Sequence, residues 1–177
     1  MRIAFVGASE LAVETAGILL ERGHEVILIE ANRDKINELS DDLDCGFICG
    51  DGGKPEILRE AAPEQTDVLF CTTNDDKTNV ITGVVGKSLG FKRVVTTVHN
   101  REFVKICLQL GLKDTFVPAR TFARYFADYV HGVDILELST MVKGEARFFS
   151  FVAGDEENGI PLEELELPKT ARLVCYY

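Results

Sequence analysis

The sequence predicts an α/β protein built on a doubly wound parallel sheet. Three observations support this fold class. The first thirty residues read as strand, tight turn, helix and strand, and the same alternation continues without a break to residue 117. Glycine or polar turn residues follow the apolar strand segments, and helices of ordinary length separate those segments. Strands that alternate with helices form a parallel sheet covered by helices on both faces.

The opening βαβ unit is the clearest local signal in the chain. Residues 2–6 form a short apolar run without helical spacing, and Gly7 breaks it. Apolar residues then recur at three- and four-residue intervals over 11–20, in a helix that begins near Glu10 and stops at Gly23. A second strand at 26–29 ends on Glu30.

The rest of the alternation follows in order. Asn32 and Asp34 are good caps for the second helix, and Pro55 suits the first turn of the third. Further strands are predicted at 45–49, 68–71, 93–98 and 115–117, and further helices at 36–43, 54–61, 80–89 and 102–110. The sheet is therefore Rossmann-like, and a ligand is expected at the carboxyl ends of its strands, where the strand order reverses.

The first turn has the chemistry of a nucleotide site. Gly7 permits a sharp turn, and the free backbone N–H groups at the start of the next helix can bind an anion. Glu30, about 20 residues after the turn, is placed to accept hydrogen bonds from ribose hydroxyls. Residues 7–12 read Gly-Ala-Ser-Glu-Leu-Ala, so Ser9 replaces the middle glycine of the dinucleotide fingerprint. A plain structural turn is the alternative interpretation.

Composition excludes several classes of protein. The formal net charge of −10 argues against nucleic acid as a partner. No apolar stretch approaches the roughly 18 residues that span a bilayer, and no secretory signal is evident at the start. The five cysteines lie singly in apolar runs, which predicts buried free thiols in a reducing compartment, and neither a metal site nor a catalytic group is predicted.

A resemblance to a known family becomes specific over residues 1 to about 130. The segments V-G-A-S-E-L-A, I-L-I-E, C-G-D-G-G, T-N-D-D-K-T-N and F-V-P-A occur at spacings that resemble the nucleotide-binding (RCK or KTN, TrkA N-terminal-like) domain of Trk- and Ktr-type potassium uptake regulatory subunits. The resemblance implies an adenine nucleotide, NAD or NADH, with ATP, ADP and AMP as further candidates. The candidate binding residues are Gly7, Ala8, Ser9, Glu10, Leu11, Glu30, Asp51, Thr73, Asn74 and Asp76. Thr97 departs from the family pattern, because relatives often carry an arginine there.

The chain divides into three parts by this interpretation. Residues 1–118 form the nucleotide-binding domain, 119–132 a crossover helix, and 133–177 a partial C-terminal domain. In the last part, strands at 135–142, 147–153 and 172–177 and a short helix at 159–165 resemble the opening of the TrkA C-terminal domain, cut short at residue 177. An incomplete small α+β domain is expected there.

The function predicted from the resemblance is that of a cytosolic regulatory subunit. It would bind an adenine nucleotide and gate a potassium channel or transporter at the inner face of the membrane. An NAD-dependent oxidoreductase is the first alternative, with His99 as its candidate proton donor beside the crevice. A Rossmann-like scaffold that has lost its ligand is the second, because Ser9 adds a Cβ at the pyrophosphate position.

A homodimer is predicted from the helix at 119–130. Phe122, Phe126 and Tyr129 share one of its faces, and Tyr125 and Val130 widen the apolar surface. This is more aromatic surface than one sheet face covers, so a symmetric pair of helices is expected, with higher rings on a membrane partner. The alternative is a helix that packs back on its own domain.

Overall fold

The computed structural model describes residues 1–130, which contain one six-stranded parallel sheet with the strand order β3-β2-β1-β4-β5-β6. The strands are β1 (Arg2–Val6), β2 (Glu25–Glu30), β3 (Gly46–Cys49), β4 (Val68–Cys71), β5 (Arg93–Thr97) and β6 (Asp114–Phe116). The helices are α1 (Glu10–Glu21), α2 (Arg33–Ser40), α3 (Pro55–Glu60), α4 (Asp76–Ser88), α5 (Glu102–Gln109) and α6 (Pro118–Val130), with a 3₁₀ helix at Pro63–Gln65. The predicted fold class is confirmed.

The sheet is wound outward in two directions from β1. The chain passes from β1 through β2 to β3, then returns to add β4, β5 and β6 on the opposite side. Val6 pairs with Ile29 of β2 and with Cys71 of β4, so the carboxyl ends of the three central strands lie level. The order reverses between β1 and β4, and this is where such sheets hold ligands.

Helices cover both faces of the sheet. Ile3 and Phe5 of β1 pack in one cluster with Ala12 and Ala16 of α1, while alternate residues of β1 pack in a second cluster with Leu58 of α3. Because both faces are buried, β1 is apolar at nearly every position rather than alternating. The alanines of α1 are fully buried and let the helix lie close to the strand that precedes the first turn.

Several element ends are shifted by one to three residues from the sequence predictions, and two larger differences stand out. Helix α4 begins at Asp76, four residues before the apolar pattern at 80, because the side chain of Asp75 accepts a hydrogen bond from the N–H of Thr78 at 2.7 Å and caps a polar first turn. The prediction that every cysteine is buried is wrong for Cys49, which is exposed, whereas Cys71 and Cys107 are buried.

The strands and short helix predicted between 133 and 177 lie outside the described residues. The boundaries at 118 and 132 stay predictions. No helix within residues 1–130 has both the length and the apolar character needed to cross a bilayer.

Candidate functional site

A crevice of about 370 Å³ opens at the carboxyl ends of β1 to β4, on the edge where the strand order reverses. It brings together seven of the ten predicted binding residues: Gly7, Ala8, Ser9, Glu30, Asp51, Thr73 and Asn74. Sequence reasoning missed three further polar residues in its lining: Asn32, Lys35 and Thr78. The spacing of turns in the sequence therefore predicted most of this crevice.

Gly7 forms the floor of the first turn. Its φ of +87° lies in the left-handed region, and its N–H donates to the carbonyl of Ile29 at 2.9 Å. A Cβ built on Gly7 would lie 2.7 Å from Thr73 Cγ2 and 2.8 Å from Thr73 Cα. The turn after β1 and the loop after β4 therefore touch at this point, and a side chain at Gly7 would force them apart.

The start of α1 presents free backbone donors. Ser9 is the N-cap, and its Oγ accepts a hydrogen bond from the N–H of Ala12 at 3.3 Å. Within the described residues, the N–H groups of Ser9, Glu10 and Leu11 donate to no protein atom. Amides at a helix N-terminus bind anions, so this corner can accept a phosphate.

Glu30 joins the first turn to the end of β2. Its Oε2 accepts a hydrogen bond from the N–H of Ala8 at 2.9 Å, and its Oε1 accepts one from the N–H of Asn32 at 3.0 Å. Burial alone would raise the pKa of Glu30, but these amides and the charge of Lys35 outweigh burial and lower the pKa below its ordinary value. The carboxylate is therefore ionised and fixed in place, with lone pairs left for ribose hydroxyls.

The turn after β3 supplies the opposite wall. Asp51 Oδ1 accepts a hydrogen bond from the N–H of Gly53 at 2.9 Å, which fixes the turn. A Cβ on Gly52 would overlap the side chain of Val6, so the turn passes close against the end of β1. Asp51 therefore has a structural role in addition to its place in the crevice.

Thr73 is held rigidly by Asn79 of α4. Asn79 Oδ1 accepts hydrogen bonds from the N–H of Thr73 at 2.8 Å and from its hydroxyl at 2.6 Å. The amide nitrogen of Asn79 donates to the carbonyls of Thr73 at 2.8 Å and Thr97 at 3.0 Å. Asn79 is fully buried, so it ties the crevice wall to β5. Asn79 ends the segment T-N-D-D-K-T-N but was not among the predicted binding residues.

Three predicted residues do not line the crevice: Glu10, Leu11 and Asp76. Asp76 Oδ1 accepts a hydrogen bond from the N–H of His99 at 2.7 Å and lies 2.9 Å from its Nδ1, while Oδ2 accepts one from the N–H of Asn100 at 2.8 Å. Burial raises the pKa of Asp76, but these hydrogen bonds lower it more, so the net shift is downward. The carboxylate of Asp76 thus anchors α4 to the turn after β5.

Comparison with known proteins identifies the family of the chain. The family model described as TrkA-N domain matches residues 3–118. The Trk system potassium uptake protein TrkA of Vibrio alginolyticus is 30% identical over 174 residues, which cover 94% of this chain and 38% of that protein. The chain thus spans less than half the length of this relative.

Two solved structures share the fold. The TrkA-N domain of the inner membrane protein ybaL from Escherichia coli superposes with a TM-score of 0.67 at 17% identity, over 72% of this chain and 95% of that one. The GsuK channel bound to NAD gives a TM-score of 0.64 at 15% identity, over 70% of this chain and 22% of that one. Because the family model covers well over half of the sequence, the chain belongs to the TrkA-N family.

Proposed function

We propose that the chain is the nucleotide-sensing part of a potassium uptake system and acts on a membrane channel or transporter from the cytoplasmic side. The observation that carries this proposal is the crevice at the switch point, where an ionised Glu30 lies beside the free amides of α1. The relative from Vibrio alginolyticus is named as a Trk potassium uptake protein, and the GsuK channel was solved with NAD. Both support the proposal.

The residues present fit an adenine nucleotide. Glu30 would accept hydrogen bonds from the ribose hydroxyls, and the amides of Ser9, Glu10 and Leu11 would hold a phosphate. Gly7, with its φ of +87°, makes the sharp turn that leads from β1 to these amides. NAD or NADH is the ligand proposed first, and ATP, ADP and AMP are the other candidates.

The proposed role is regulatory rather than catalytic. His99, the proton donor of the oxidoreductase alternative, is bound to Asp76 and lies outside the crevice lining. A nucleotide would instead shift the population between two arrangements of the assembly, by no more than its difference in affinity for them. NADH turnover with small carbonyl substrates above background would favour the enzyme.

Isothermal titration with the full chain tests the binding site. We expect NAD to bind and NADP to bind at least about tenfold more weakly, because the 2′-phosphate of NADP would meet the Glu30 carboxylate. Glu30→Ala should weaken NAD binding, whereas Glu38→Ala, an exposed glutamate on α2, should not. If NADP binds more tightly than NAD, or if Glu30→Ala leaves NAD affinity unchanged, the site assignment is wrong. If no nucleotide binds, the scaffold alternative holds.

We also propose that α6 pairs the chain into a homodimer, with higher rings on the membrane partner. The side chain of Phe122 on α6 is 55% exposed, which leaves apolar surface uncovered. A symmetric partner helix would cover this apolar surface. Light scattering of Phe122→Asp should give the 19.6 kDa monomer, while Ile18→Asp, at a 48% exposed position on α1, should keep the mass of the dimer. A monomeric parent chain at tens of micromolar would refute the pairing.

A further inference from the structure

A second cavity, of about 250 Å³, lies between α5, β6 and the start of α6. It shares no lining residue with the crevice at the switch point. Two arginines, two threonines and an apolar wall line it, including Arg120, Arg124, Thr115, Thr121, Phe116 and Val117. We propose that this cavity is a separate ligand site, which binds a small phosphate monoester with an apolar group. The proposal does not depend on the nucleotide site.

The two arginines of the cavity have no acidic partner. Arg120 and Arg124 are four residues apart on α6, so they lie on one face of the helix, one turn apart. Neither guanidinium forms an ion pair or a hydrogen bond with a residue whose side chain the structure describes. By contrast, Arg93 on β5 pairs with Asp114 at 2.6 Å. Acidic residues outnumber Lys and Arg in this chain by 29 to 19, so two unpaired guanidiniums in one cavity indicate an external anion.

The part of the chain that builds the cavity is positively charged. Residues 87–130 contain eight Lys or Arg and three Asp or Glu, whereas residues 1–86 contain seven and seventeen. All the lining residues of the cavity belong to the first of these stretches. A concave surface lined by one sign of charge raises the local concentration of the opposite ion, so a small anion is attracted to this cavity.

The charges and donors of the cavity favour a phosphate monoester over a carboxylate. Each guanidinium carries one positive charge and a planar fork of N–H donors. A phosphate monoester carries nearly two negative charges at neutral pH, and its three oxygens can accept from both forks. A carboxylate has one charge and two oxygens. The hydroxyl of Thr121 donates to no described protein atom, so it can add a further hydrogen bond to the phosphate.

The apolar wall and the volume of the cavity limit the rest of the ligand. Val104 of α5 lines it together with Phe116 and Val117, and the side chain of Phe116 is 49% exposed. A ring or a short alkyl group would cover this apolar surface. The volume of about 250 Å³ lies below the range of roughly 300–1,000 Å³ that is typical of sites for larger ligands, so a small ester fits better than a dinucleotide.

The proposed pairing of α6 leaves this cavity open. Phe122 is two residues from each arginine, which is about 200° around a helix of 3.6 residues per turn. Its side chain therefore lies on the opposite face of α6 from the two guanidiniums. A dimer that forms through Phe122 should bind the phosphate ester at each cavity.

Isothermal titration of the full chain with phenyl phosphate, benzoate and inorganic phosphate tests the proposal. We expect one phenyl phosphate to bind per chain with a Kd of about 1 mM or lower, and benzoate to bind at least about tenfold more weakly because it carries one charge. Inorganic phosphate should also bind more weakly than phenyl phosphate, because it has no group to cover the apolar wall.

Arg120→Gln and Arg124→Gln should each weaken phenyl phosphate binding by at least about tenfold, and both should fold normally because the two positions are exposed. Arg101→Gln is the matched control, since Arg101 is an exposed arginine of the same positive stretch but does not line the cavity. Its Kd for phenyl phosphate should change by less than about twofold, because an exposed charge outside the cavity is screened by salt.

Four results would overturn the proposal. They are no saturable binding of phenyl phosphate up to about 20 mM, binding of benzoate as tight as that of phenyl phosphate, an equal loss of affinity in Arg101→Gln, and competition by NAD, which would place the anion in the crevice. None of the first three bears on the proposed function. That function fails instead if no nucleotide binds, an outcome that leaves the comparison of the arginine variants intact.

Discussion

Replacing Gly7 with alanine should be among the most damaging small changes in this domain. The residue has a φ of +87°, and an L-residue in the left-handed region costs roughly 1–2 kcal/mol. The new Cβ would lie 2.7–2.9 Å from three atoms of Thr73, two of them backbone. Asn79 holds Thr73 through three hydrogen bonds, so the loop cannot move away freely, and overpacking adds about 1–3 kcal/mol.

The total loss in the free energy of unfolding should be about 2–5 kcal/mol, or a fall in Tm of about 4–20 °C for a chain of this length. Gly90→Ala is the matched control, because Gly90 has a similar φ of +94° and no atom lies within 4 Å of its added Cβ. Both variants change the unfolded chain alike, so the difference between their urea unfolding energies isolates the contact with Thr73. If Gly7→Ala costs no more than Gly90→Ala, the contact between the two loops is not as described.

Three further predictions concern burial and ionisation. Asn79→Ala should lower the free energy of unfolding by about 1–3 kcal/mol for each buried backbone group that loses its hydrogen-bond partner. Calorimetry should show little change in Tm for the control Asn74→Ala, which alters an exposed residue of the crevice. The folded-state pKa of Glu30 lies below its ordinary value of 4.5, so its ionised form stabilises the fold above that pH, and this contribution is lost as the pH falls through the folded pKa. The urea midpoint of the parent chain should therefore fall more steeply with acid than that of Glu30→Gln. Parallel curves of urea midpoint against pH would contradict the pKa shift. Burial raises the pKa of Cys71 to about 12, so peptide mapping after maleimide treatment near pH 8 should find exposed Cys49 modified and Cys71 protected until denaturant is added.

Several elements of the fold could be predicted because they depend on local sequence. β1 and β4 were placed to the residue, since an apolar run ended by a turn is buried on both faces wherever it lies in the sheet. The start of α1 was also correct, because Gly7 and the cap at Ser9 act within a few residues. The first turn of α4 was missed, since it is polar and is stabilised by Asp75 rather than by apolar packing.

The sequence by itself thus determined the succession of strands and helices along the chain, the turns that carry the candidate site, and the acidic residue at the end of β2. The contacts inside the site were decided by the tertiary structure. Asn79 reaches Thr97, and Asp76 reaches Asn100, across gaps of 18 and 24 residues, and Lys35 enters the lining from α2. Periodicity indicates which face of a helix or strand is apolar, and capping indicates which backbone N–H groups are bonded by a residue close by in the chain. Contacts between loops depend instead on the order of the strands in the sheet, on the register of β1 against β4 and on that of β4 against β5, which no local pattern encodes.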